Sequence, residues 1–208
     1  MKAATLRKKE QAKRLKQLHI LDCAENLMRQ KGIPNWSMDG LAKAAKMAKG
    51  TLYLYFKDKE DVLAHLSTKA REDLLKRFNE EVSQCDHSLD QIRAIMWANY
   101  HFQQENRLYN DLVSFYEVNR HLEEPDALRL AGYNIHSFVV SVMEKARKNG
   151  EVKADLDIAA FSMTLWGMCV GMVQLIDTKA ELVDAYTNKT KDGFYGNFIE
   201  LIISGVKA

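Results

Sequence analysis

The segment from Gly32 to Leu63 constrains this chain more than any other part of it. Ser37 is a good helix N-cap, because its hydroxyl can accept a bond from an orphan amide of the next turn, and Leu41, Ala42 and Ala45 follow as a small apolar face. A second short helix is predicted from Ala48 to Leu54. It carries Lys49, Thr51 and Tyr53, all able to donate to phosphates or base edges, while Gly50 lets a backbone approach DNA closely. Tyr55 and Lys59 extend the same basic and phenolic row. The whole reads as a helix-turn-helix over about residues 36–55, with a supporting helix and a helix that faces DNA.

The order Gly32, Ser37, Leu41-Ala42, Ala45, Gly50-Thr51-Leu52-Tyr53, Tyr55-Phe56, then Lys59, Glu60 and Leu63 resembles the DNA-binding domain of the TetR family of bacterial transcriptional regulators. A lone Gly-Thr would mean little; so many coincident positions in one register mean much more. Two positions depart from the family pattern. Lys46 stands where the family usually has a turn glycine, and Ala48 where it usually has serine. A side chain at a left-handed turn costs on the order of 1 kcal/mol, and alanine cannot cap, so the start of the second helix is expected to be less stable than is typical.

Charge distribution agrees with a DNA-binding end. Net charge is only +2. Residues 1–59 nevertheless hold 14 Lys and Arg against 5 Asp and Glu, whereas residues 60–208 hold 16 against 23. The basic end attracts a phosphate backbone and the acidic remainder does not. Arg7, Lys8, Lys9, Lys13, Arg14 and Lys16 form an arm from Thr5 to Lys16, open to two readings: a solvated face, or phosphate and minor-groove contacts. Cys23, Cys85 and Cys169 are odd in number and widely spaced, which favours a reducing cytoplasm over a disulfide or zinc framework. The basic start runs into further charge instead of an apolar stretch, so no signal peptide is expected.

Helical periodicity dominates the rest, and two prolines suit a nearly all-helical chain. Helices are expected at Ile20–Lys31, from Asp58 through Phe78, at Ser88–Glu105, Arg107–Leu122, Asp126–Lys148, about Leu156–Asp177 and about Thr187–Val206. The expectation is an all-α chain of about nine helices in two domains, residues 1–57 for DNA and residues 58–208 for an effector and for dimerisation. Residues 158–176 carry no charge and are long enough to span a membrane. Ser162, Thr164, Gln174, two glycines and acidic flanks favour a buried helix instead, packed on its own core and on a partner.

What the resemblance implies is a homodimer joined through the last two long helices, with Gly167, Gly171, Phe194, Phe198, Leu201 and Ile202 at the interface. Twofold symmetry then lets two recognition helices read the half-sites of a palindromic operator. It also implies a small-molecule pocket, for which Trp97, Tyr100, His101, Tyr116, His136 and Trp166 supply polar-tipped aromatic and imidazole groups. Ordinary core or surface packing is the other reading of each. With no concentrated charge among them, the expected effector is apolar or aromatic, neutral or weakly cationic. His101 and Glu105 share a helix face, and Cys85 lies close to His87, but neither pair has the further ligands a metal needs. No nucleophile elbow, phosphate loop or paired catalytic motif is present, so neither cofactor nor catalytic residue is expected. The reading is a repressor released by its effector. An activator, a constitutive DNA-binding protein without an effector, or an enzyme whose groups only the fold assembles are the alternatives.

Overall fold

The computed structural model describes residues 2–119 and 122–208, apart from the side chains of residues 2–6, 113, 117 and 118. The described residues hold ten α-helices: α1 (Lys2–Lys31), α2 (Met38–Ala44), α3 (Lys49–Leu52), α4 (Lys59–Val82), α5 (Ser88–Glu105), α6 (Arg107–Val118), α7 (Asp126–Lys148), α8 (Ile158–Thr178), α9 (Ala180–Thr187) and α10 (Lys191–Val206). They fall into two compact units, residues 1–70 with 108–128, and residues 71–107 with 129–208.

In the first unit, α1 is helical from its start, so the basic stretch expected as an arm is an exposed helix from Arg7 to Lys16. Ile20, Leu21, Ala24 and Met28 then turn inward. Gly32, at φ +78°, ends the helix by donating to the Met28 carbonyl at 2.8 Å, a conformation that favours a residue without Cβ. A single 3-10 turn, Ile33–Asn35, leads to Ser37, which caps α2 by accepting the Gly40 amide at 3.1 Å. The α2–α3 turn is closed by Lys46 N–H on the Lys43 carbonyl and Met47 N–H on the Ala42 carbonyl, the paired bonds of a Schellman motif. Its left-handed residue is Lys46, at φ +52°, as the sequence led one to expect.

Leu41, Ala42, Leu52, Phe56, Val62, Leu63 and Leu66 fill the core of this unit, each large side chain contributing about 1.5–3 kcal/mol by leaving water. A polar joint accompanies them. Glu25 on α1 accepts from Arg29 at 2.8 Å, from Lys69 on α4 at 3.2 Å and from the Tyr109 hydroxyl on α6 at 2.9 Å. Burial alone would raise the Glu25 pKa, but these donors outweigh it and hold the carboxyl below its ordinary value. The sixth helix was expected to reach Leu122. It ends at Val118, Leu122 is not helical, and residues 120–121 lie outside the described residues.

The second unit packs α5, α7, α8 and α10 around Ile92, Met96, Tyr100, Met143, Leu165, Cys169, Val173, Tyr195 and Ile199. α8 is long and apolar enough to cross a membrane by length and composition, which is weak evidence when only one such helix exists among the described residues. Its residues divide between two faces: Ile158, Leu165, Cys169, Val173 and Ile176 are buried, while Met163, Trp166, Gly167, Val170 and Gly171 are exposed. The last helix, expected from about Thr187, starts at Lys191 as α10, and α9 precedes it where no helix was expected. Asn188 at φ +50° closes α9, and Thr190 caps α10 by accepting the Gly193 amide at 3.1 Å.

A long-range cap starts α5. His87, at the N-cap position, offers no side-chain bond, and Glu151 takes over: it accepts the amides of Ser88 at 3.3 Å and Leu89 at 3.0 Å, and Asn149 Nδ2 at 3.1 Å. Burial, the largest single cause, pushes the Glu151 pKa up, but the donors Leu89, Asn149 and Ser88 together outweigh it and bring the pKa down to about 2. A carboxyl lowered from its unfolded value near ~4.3 stabilises the fold fully above that pH and loses the contribution as pH falls toward 2. Glu151→Gln is therefore expected to cost about 1 kcal/mol in urea unfolding at pH 7. The gap to the native chain should narrow steadily below about pH 4.

Candidate nucleic-acid interface

α3 is only one turn long, has no side-chain cap at Ala48, and is held by Leu52, which is wholly buried. Four residues cannot form a helix on their own, so packing on α2 makes it. Around that anchor the other side chains face outward. Lys49 and Gly50 are exposed, Tyr53 is 45% exposed, and Thr51 and Tyr55 are half-buried. A Cβ on Gly50 would meet nothing within 4 Å, and its φ is not positive, so nothing in the chain itself requires glycine there. Leu54, which the sequence reading passed over, is 76% exposed between the two tyrosines. Its signal was legible as a lone leucine off the apolar face, and such a group suits contact with a thymine methyl.

Two cations in this region are already engaged. Lys49 Nζ lies 2.6 Å from the Asp39 carboxylate of α2. Lys59 donates to the Pro34 carbonyl at 3.2 Å and sits over the Trp36 ring, 5.1 Å from its centroid. Lys59 thus clamps the turn before α2 to the start of α4, and only its remaining donors can turn to a phosphate. Trp36 is buried, and its indole N–H meets no acceptor among the described residues.

The six side chains expected around an effector are not brought together as a set. Trp97, Tyr100 and His101 on α5 do meet: Trp97 stacks on His101 at 5.2 Å between centroids, and Tyr100 stacks on Tyr195 of α10 at 4.3 Å. Tyr100 donates to Asp192 at 2.9 Å and Tyr195 to the Met96 carbonyl at 3.2 Å. Burial, with Asp192 second, pushes the Tyr100 hydroxyl far up, so it remains a donor. His136 pairs with Ser162 at 3.1 Å. Tyr116 belongs to the first unit, where it packs with Ala64 and Leu128 and donates to the Glu60 carbonyl at 3.3 Å; burial and then Glu60 raise its pKa to about 12. Trp166 is 51% exposed on the outer face of α8.

Among the residues expected at a dimer interface, Gly167 and Gly171 are exposed and a Cβ on either would meet nothing. Leu201 on α10 is 73% exposed, and Phe194 and Ile202 are half-buried. Phe198 differs: only 7% exposed, it packs edge-on against Tyr195 at 5.5 Å inside its own unit. Its sequence spacing placed it on the same helix as Leu201 but could not say which of the two faces inward. Among the described residues no three of His, Cys, Asp and Glu converge as metal ligands would.

The segment that holds α2 and α3 matches a known family. Residues 20–66 match the family model described as bacterial regulatory proteins, tetR family. That segment carries the chain's TetR-family DNA-binding domain. The chain is accordingly a DNA-binding transcriptional regulator. The likeness extends beyond the matched segment: the fatty acid metabolism regulator protein of Bacillus subtilis (strain 168) is 25% identical over 199 residues, covering 93% of this chain and 97% of that one. A solved structure of a protein with unknown function from Rhodococcus sp. RHA1 superposes with a TM-score of 0.79 at 16% identity, over 93% of this regulator and 96% of that chain. The transcriptional regulator FadR from Bacillus subtilis, solved in complex with stearoyl-CoA, gives 0.73 at 19% identity over 90% and 98%. These superpositions establish the shared fold.

Proposed function

We propose that this regulator is a homodimeric repressor that binds a palindromic operator through α3 and releases it when a small apolar effector binds. The observation that carries the DNA-facing assignment is the exposed group Lys49, Gly50, Tyr53 and Leu54 on a helix held by one buried leucine. A glycine that the chain does not need is explained by a backbone that must come close to something else. The dimer assignment rests on the exposed apolar faces of α8 and α10, where Met163, Trp166, Gly167, Val170, Gly171 and Leu201 would otherwise stand in water.

For the effector, the relatives, one named for fatty acid metabolism and one solved with stearoyl-CoA, suggest a class whose acyl chain meets the apolar expectation while its anionic CoA phosphates depart from the neutral or weakly cationic one. A long-chain fatty acyl-CoA is the first compound to test, and an apolar aromatic library the second. The test is reciprocal, because an effector that lowers DNA affinity must itself bind the DNA complex more weakly by the same factor. Stearoyl-CoA is expected to weaken binding to an enriched duplex about 5–150-fold and to change the fluorescence of Trp97. Absence of both effects, with acyl-CoA and with the library, would leave a DNA-binding regulator without an effector. The compartment this reading assumes is the cytoplasm.

A further inference from the structure

Lys49 stands in an electrostatically awkward place. It is the first residue of α3, where the helix N-terminus already presents partial positive charge and Ala48 supplies no cap. Asp39 makes good the deficit. It lies in the first turn of α2, a position that favours a carboxylate, and its oxygen is 2.6 Å from Lys49 Nζ. From Gly32 to Lys59 the chain holds only two carboxylates. Asp58 is engaged in capping α4 by accepting the Asp61 amide at 2.8 Å, which leaves Asp39 as the acid beside the exposed residues of α3. A free carboxylate there would repel phosphates, and a DNA-reading surface gains nothing from it unless it acts through its neighbour.

We propose that Asp39 is a positioning residue that sets DNA specificity by controlling Lys49. This rests on α3 being the DNA-facing helix. While the two are paired, the pair is net neutral, so on an arbitrary sequence Lys49 neutralises no phosphate and releases no counterion. Both side chains are exposed, and ion pairs in water are weak, so the pair opens when an acceptor lies within reach of Lys49 Nζ in the groove that the start of α3 faces. A guanine edge, with its O6 and N7 acceptors, is such a partner for a lysine at the start of a recognition helix. Asp39 thereby withholds Lys49 from the uniform backbone and yields it to a correctly placed base.

The experiment is a double-mutant cycle on the full-length protein with Asp39→Asn, Lys49→Met and both changes. Each protein is titrated over a range of salt with two probes: a duplex enriched from a random pool by the native protein, and an unrelated duplex of equal length. Asp39→Asn should raise affinity for the unrelated duplex about three- to tenfold and steepen its salt slope by about 0.9. The enriched duplex should change less, so the specificity ratio falls. In the Lys49→Met background the unpaired Asp39 only repels phosphates, so the same Asp39→Asn change should give a gain on the unrelated duplex clearly smaller than the gain with Lys49 present. Equal gains with and without Lys49 would mean that Asp39 acts on phosphates directly, and would overturn the proposal while leaving the DNA face intact. If Lys49→Met binds both duplexes as the native protein does, Lys49 is not at the DNA and the proposal falls with that assignment. Asp39→Ala repeats the cycle without an amide that could itself bond Lys49, and must give the same pattern.

Discussion

Gly171→Arg is expected to yield a folded monomer that binds operator DNA at least about a hundredfold more weakly. The argument has two halves. Within one chain Gly171 is exposed and a Cβ added there meets nothing within 4 Å, so arginine can be accommodated without disturbing the unit's own core. Against a partner helix, the same arginine would bury a charge with no counter-ion, which costs several kcal/mol, and each 1.4 kcal/mol is a factor of ten in association. Leu201→Glu should act alike, because that side chain is also outside the core. Phe198→Glu should not: it places a carboxylate beside Tyr195 and is expected to unfold the second unit. Sedimentation together with circular dichroism separates these cases. A Gly171→Arg protein that remains dimeric would remove α8 from the interface.

Leu52→Ala is expected to destabilise the first unit by about 2–5 kcal/mol and to abolish DNA binding, while most of the helix content survives. The size of the effect follows from how little else holds α3. It has one turn, no side-chain cap and a lysine at its start, and Leu52 is its one buried residue. Removing that anchor frees Lys49, Thr51 and Tyr53 from a common geometry, even though none of them is changed. Tyr53→Phe provides the contrast. It deletes a partly exposed hydroxyl only, so binding should weaken by about 1 kcal/mol, roughly fivefold, with stability unchanged. Denaturant unfolding and duplex titration of both variants check the pair. Native-like binding by Leu52→Ala would mean that another element touches the DNA.

How much of this could be read in advance depended on the range of the interaction responsible. α7 has the expected bounds, Asp126–Lys148, because its limits are set within a few residues by Pro125 and by the Asn149-Gly150 stop; α5 also has its expected bounds, Ser88–Glu105, though its cap is remote. Asp58 at the head of α4 and Lys46 in its left-handed turn are local in the same sense. α9 was not expected at all, although Asn188 and Thr190, which separate it from α10, are local signals of the same kind. Glu151 is different in kind. It caps α5 from 62 and 63 residues away, a pairing no spacing rule contains. The stack of Tyr100 on Tyr195 likewise exists because α5 packs on α10, and Tyr195 was not among the residues picked out. At the DNA face the residue types were legible, but their engagement was not: Lys49 with Asp39 and Lys59 with Trp36 follow from how α2, α3 and α4 meet.

The most direct test of the account is selection of duplexes from a random pool by the native protein, followed by titration of the enriched sequence against protein concentration. A dimeric reader should enrich an inverted repeat whose half-site centres lie one helical turn, roughly 34–36 Å, or a multiple of it apart, and should bind it as a dimer. No enrichment over the starting pool, or a single unrepeated site bound by one chain, would contradict it.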